Sequence, residues 1–193
     1  EYSKTDGGND AYNNNFPSNY IVPTGVGFWI PTSTQQPIPL LPYWGQVRPF
    51  VVANATVNPT PPIAFSTDPS SDFYQQAYTV YTTRNNITQE QALIANFWAD
   101  GNNTYSPPGH WMNIGTQIIQ KENVTLDKAV ETYVKLGLAL NDVFISCWRA
   151  KYQYNLMRPE TYIQQNINSN WTPFIATPPF PEYVSGHSSG SGA

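Results

Sequence analysis

The chain has 193 residues, a formal net charge of -4 and a pI near 5.0; charged residues make up 11% of it and aromatic residues 15%. Average chains carry about 25% charged residues, so this one is poor in charge and rich in rings, which excludes wholesale disorder and a broad basic surface for nucleic acid. No run of about 18 uncharged apolar residues exists to span a membrane, and the single Cys147 excludes an internal disulfide and a cysteine-clustered zinc site.

Residues 1–20 are polar and Asn/Gly-rich and are expected to form a surface arm. Residues 21–73 hold ten prolines, from Pro23 through Pro37 to Pro69. Proline fixes φ and lacks a donor, so no long helix persists there. The rings of Phe28, Trp29, Tyr43, Trp44 and Phe50 need burial, which predicts an irregular segment draped over a core formed elsewhere.

Helical spacing begins near Asp72. Thr88 and Gln91 form a capping box before Ala92, Ala95, Phe97, Trp98 and Ala99, and Gly101 is the expected stop. Pro107-Pro108-Gly109 reads as punctuation, after which His110-Trp111 opens a run to about Lys121. Thr125 is a good N-cap for a third run over about 126–156, with a break expected near Gly137 and an end imposed by Pro159. Its second half is apolar on nearly all faces, as in a helix buried within a bundle. Residues 168–184 read as a rigid Pro/aromatic loop. The division expected is 1–85, an irregular Pro/aromatic segment, and 86–193, the first part of a helical domain. The sequence ends just after Ser185-Gly186-His187, which suggests the front part of a longer polypeptide.

Lys151 and Arg158 stand out in that apolar third run. Their spacing falls about 20° short of two full turns, which predicts both cations on one face, about 10 Å apart along the axis. Trp148 and Asn155 share the stripe, and it carries no Asp or Glu. Buried cations need an anion, and an external oxyanion would serve, with the flat guanidinium giving bidentate contacts. In the plainer reading, Lys151 reaches water along its stem and Arg158 caps helix carbonyls. Ser185-Gly186-His187 is by itself a common tripeptide, and a simple turn fits it. At a helix start it would instead be an anion cradle, with Gly186 admitting close backbone approach and His187 exchanging protons near neutral pH.

Taken together, Lys151-x6-Arg158-Pro159 and then Ser185-Gly186-His187 resemble the first two signature motifs of the superfamily that joins vanadium-dependent haloperoxidases and type 2 phosphatidic acid phosphatases. The pattern there is K-x6-RP, then PSGH, then SR-x5-H; Val184 here replaces the proline before the serine. Trp148, the stretch Pro178 to Tyr183 and the stretch Pro107 to Trp111 look like the haloperoxidase branch. The resemblance covers roughly residues 90 to 193. It implies a mainly α fold, a helical bundle of the haloperoxidase/acid phosphatase type with a Pro-rich irregular N-terminal segment, here a truncated domain.

It further implies vanadate as cofactor, with phosphate or sulfate able to take its place. Lys151, Arg158, Ser185 and Gly186 would bind its oxygens, His187 would be the acid–base residue, and Trp148 and Phe180 would line the halide side. The implied partners are hydrogen peroxide, a halide and a small organic acceptor. Vanadate would act as a Lewis acid on peroxide without changing oxidation state. The third motif, with its arginine and metal-ligating histidine, has no match in residues 1–193, so the ligand histidine is expected after Ala193 or from a second chain. His110 reads as a helix-start or core-edge residue. A phosphomonoesterase on the same scaffold and a non-catalytic secreted helical domain are the alternatives.

No signal peptide is visible at Glu1, and a mature exported protein would look the same. Low lysine content and many Asn, Thr and Tyr point to an extracytoplasmic (periplasmic or secreted) setting. The sequons at Asn54, Asn86, Asn102, Asn123 and Asn170 count only in a eukaryotic secreted protein.

Overall fold

The computed structural model describes residue 5 and residues 15–32, 38–53, 59–101 and 103–193. Most of the expected arm at 1–20, Pro37, and the sequons at Asn54 and Asn102 lie outside them. Among the described residues the regular elements are helices: α1 (Asp72–Asn85), α2 (Gln89–Trp98), α3 (Ser106–Lys121), α4 (Leu126–Tyr154), α5 (Pro159–Asn166) and α6 (Gly186–Ser191). No helix among them is long and apolar enough to cross a membrane.

Local caps set several boundaries. Ser71 Oγ accepts from the Tyr74 N–H at 3.3 Å and starts α1. The Thr88–Gln91 capping box is formed in both directions, at 3.2 and 3.0 Å. Because α1 is helical and its Phe73 and Ala77 pack with Tyr162 and Ile163 of α5, the irregular segment ends at residue 71 rather than 85.

Other boundaries differ from the sequence reading, each for a physical reason. Helix α2 ends at Trp98, short of Gly101, and the left-handed residue that follows is Asp100 (φ 46°). Helix α3 starts at Ser106, not His110. Prolines 107 and 108 open it, because first-turn N–H groups have no intrahelical partner to lose. Helix α4 runs unbroken through Gly137 for 29 residues. It stops at Asn155, which is left-handed (φ 47°) and returns its N–H to the Lys151 carbonyl at 2.8 Å. Pro159 therefore does not end α4; it opens α5, with Arg158 as the N-cap.

The proline-rich segment lies along α4. Its residues 27–29 bracket the α4–α5 link: Trp29 donates its N–H to the Asn155 carbonyl at 2.7 Å, and Met157 donates to the Gly27 carbonyl at 2.9 Å. The Trp29 side chain is fully buried. Further on, the Leu40 carbonyl accepts from Trp148 Nε1 and the Tyr152 hydroxyl. Gly45 lies so close to α4 that a Cβ there would fall 2.5 Å from Arg149 Cα.

The last anchor is Asp142. Its buried carboxylate accepts the N–H groups of Phe50, Val51 and Val52 at 2.7–2.8 Å. Burial pushes the Asp142 carboxyl up, but those N–H groups and the Asn141 amide outweigh it and hold the group below the usual carboxylate range.

Candidate functional site

Lys151 sits in the last turn of α4 and is 1% exposed. Its ammonium donates to the carbonyls of Pro181 and Glu182 at 3.0 and 2.9 Å. Burial, and then the nearby Arg158 guanidinium, lower its pKa to about 8. Arg158 donates from Nε to the Phe180 carbonyl and from Nη1 to the Glu182 carboxylate, both at 2.7 Å. Its Nη2 is buried and has no hydrogen-bond partner.

The two cations meet, but not as a helical stripe. Since α4 stops at Tyr154, Arg158 lies beyond it, and the chain has to turn to bring the guanidinium back beside Lys151. The shared platform is the Phe180 ring, with Lys151 Nζ 4.9 Å and Arg158 Cζ 4.7 Å from its centroid. The stripe itself carries no Asp or Glu, as its sequence reads. Glu182 supplies a carboxylate from the Pro/aromatic loop rather than from α4. Neither plainer reading holds in full: Lys151 does not reach water, and Arg158 holds the 180–182 loop instead of capping α4.

Ser185 is the N-cap of α6, its Oγ accepting from the Ser188 N–H at 3.1 Å, as a helix start there requires. Gly186 opens α6 against α4. A Cβ on it would lie 3.8 Å from both Phe144 and Trp148, an ordinary contact, so this side does not demand glycine. The Cys147 thiol points to the Val184 carbonyl at 3.8 Å, so the serine segment lies against α4 about one turn before Lys151. Trp148 and Phe180 are ring neighbours, centroids 5.1 Å apart.

His187 is half-exposed and donates from Nε2 to the Trp98 carbonyl at 2.6 Å, with Asp100 Oδ2 3.9 Å away. His110 is buried. The structure thus brings Trp148, Lys151, Arg158 and Phe180 into one cluster, flanked by Ser185 and Gly186, while His187 turns one ring nitrogen towards the end of α2. Sequence reasoning passed over Glu182 and Asp100. The first stood in plain view inside the Pro178–Tyr183 stretch, and nothing local signals the second.

No family model matches the chain, and no curated protein matches it. A solved structure, "Crystal structure of the first bacterial vanadium dependant iodoperoxidase", is similar over 88% of this chain, with 41% sequence identity and a TM-score of 0.82. The chain spans 44% of the length of that protein. At this likeness the chain has a haloperoxidase-like, all-α fold.

Proposed function

We propose that the chain carries part of the oxyanion site of a vanadium-dependent haloperoxidase, which oxidises a halide with hydrogen peroxide. The observation that carries this reading is the buried pair of cations on Phe180, one of which keeps a donor, Arg158 Nη2, without a partner. A buried guanidinium nitrogen left unbonded costs free energy unless something accepts from it. Vanadate oxygens suit that donor, so the donor set fits the group. Lys151 and Arg158 would hold it, together with Ser185 and the Gly186 N–H, and a histidine ligand and a further arginine would come from outside these residues. When bound, vanadate supplies a Lewis-acidic centre at which peroxide is activated towards halide.

The protein's own residues do the rest. Lys151 and Arg158 neutralise negative charge where burial strengthens each contact. Phe180 and Trp148 keep water from the cationic heads and would form an apolar wall for halide. Because His187 commits Nε2–H to the Trp98 carbonyl, Nδ1 is the nitrogen left to take or give a proton. An extracytoplasmic setting belongs to the same proposal, on the low lysine content and the abundance of Asn, Thr and Tyr.

The test is halide oxidation by the complete protein with peroxide, with and without orthovanadate. Vanadate-dependent turnover that falls in His187→Ala, while vanadate binding persists, supports the proposal. Hydrolysis of a chromogenic phosphate ester that vanadate inhibits, with no halide oxidation, contradicts it.

A further inference from the structure

We infer that His110 is a positioning residue for His187, acting through residues 98–100; this rests on the reading of His187 as the group that handles protons. His110 grips the end of α2 twice. Its ring stacks on Trp98, centroids 4.7 Å apart and planes within 25°, with Phe97 edge-on at 4.9 Å. Its Nδ1 bonds both carboxylate oxygens of Asp100, at 2.9 and 3.1 Å. Both partners are withdrawn from water, the side chains being 10% and 6% exposed. Between the two grips lies the Trp98 carbonyl, which accepts from His187 Nε2 at 2.6 Å. Asp100 holds a left-handed backbone (φ 46°), which an aspartate tolerates at some cost and which needs a local hold.

The chain leaves α2 at Trp98, turns at Asp100 and enters α3, whose first turns carry His110. Through that hairpin His110 fixes the carbonyl and the carboxylate that face His187. The titratable groups on this part of α4 have partners other than His187: Lys151 the 181 and 182 carbonyls, and Cys147 the Val184 carbonyl and Ser189. His187 thereby keeps one tautomer, with hydrogen on Nε2 and Nδ1 free. A packing role alone would need only the ring of His110, not its Nδ1.

In the complete protein the His187 nitrogen resonances are assigned by their disappearance in His187→Gln. His110→Phe keeps an aromatic ring for the stack and removes the donor, while His110→Asn places an amide N–H near Nδ1 without the stack. The wild-type signature expected is a slowly exchanging His187 Nε2 proton. The inference expects this signal to be lost in folded His110→Phe, whose melting temperature falls because the buried Asp100 carboxylate loses its partner, and retained in His110→Asn. It is overturned if the signal persists in His110→Phe, or if both variants lose it. Should His110→Phe fail to fold, His110→Asn decides alone: retention supports the inference and loss overturns it. Failure of the oxyanion reading looks different, since vanadate then does not bind while the His187 signature still follows His110.

Discussion

Along the first half of α4, Glu131 pairs with Lys128 and Lys135 at 2.9 and 2.6 Å, with all three side chains in solvent. In the second half, Asp142 and Lys151 are buried and bond to backbone groups of other segments. The same helix thus carries charge for different purposes. Outside, water screens the pairs and they add little. Inside, each charge holds a distant loop: Asp142 the stretch 50–52, Lys151 the stretch 181–182. The buried half is where a lost or gained charge has consequences, and substitutions along α4 expose the contrast.

The largest effect is expected at Asp142. Replacing it with Ala leaves three N–H groups without their acceptor and should cost on the order of 4 kcal/mol, read from denaturant unfolding. The folded carboxyl is held below its unfolded value, so its contribution is present above the unfolded pKa and is lost as pH falls through the folded one. Asp142→Asn should remove that acid-side dependence.

Lys151 gives a slope of the same sign at the alkaline end of the scale. Its pKa falls from 10.5 to about 8 on folding, so the unfolded chain binds more protons between those values and stability rises with pH across that window. The rise should be roughly 3 kcal/mol for this group and should be absent in Lys151→Met when wild type and variant are compared by urea unfolding at pH 7.5 and above. A bound anion would favour the charged amine and lift its pKa again. Anion affinity is therefore expected to fall as pH climbs past about 8.

Arg158→Ala should weaken vanadate binding about tenfold or more, the loss of a charge-assisted contact, measured by calorimetric titration. It also frees the Phe180 carbonyl and Glu182, so the 180–182 loop should become more open to proteolysis. At the far end of the scale, Glu131→Gln should leave the unfolding midpoint unmoved. A clear loss of stability there would erase the distinction between the two halves.

What could be read beforehand follows the same division between local and distant forces. The start of α1 and the Thr88–Gln91 capping box are legible because a few neighbouring residues set them, whereas Thr125 stands at the N-cap of α4 without a side-chain cap bond and Ser185 reads equally as a turn or a helix start. The end of α4 is not. Asn155 is held left-handed where Trp29 and Gly27, far away in sequence, bond the link around it. With that turn unseen, Arg158 was placed on the helix by its spacing. The two cations still meet, over the Phe180 ring, because the chain turns at Asn155 and brings Arg158 back beside Lys151. Glu182 was legible as a residue but not as a partner, since only the folded loop brings it to Arg158.

The most direct measurement is equilibrium binding of orthovanadate near pH 7.5, followed by vanadium NMR, for wild type, Lys151→Met, Arg158→Ala and the double variant. If both cations grip one anion, each single variant should bind more weakly, and the double loss should differ from the sum of the two, as for residues sharing a ligand. Binding that is unchanged in all three variants would contradict the site.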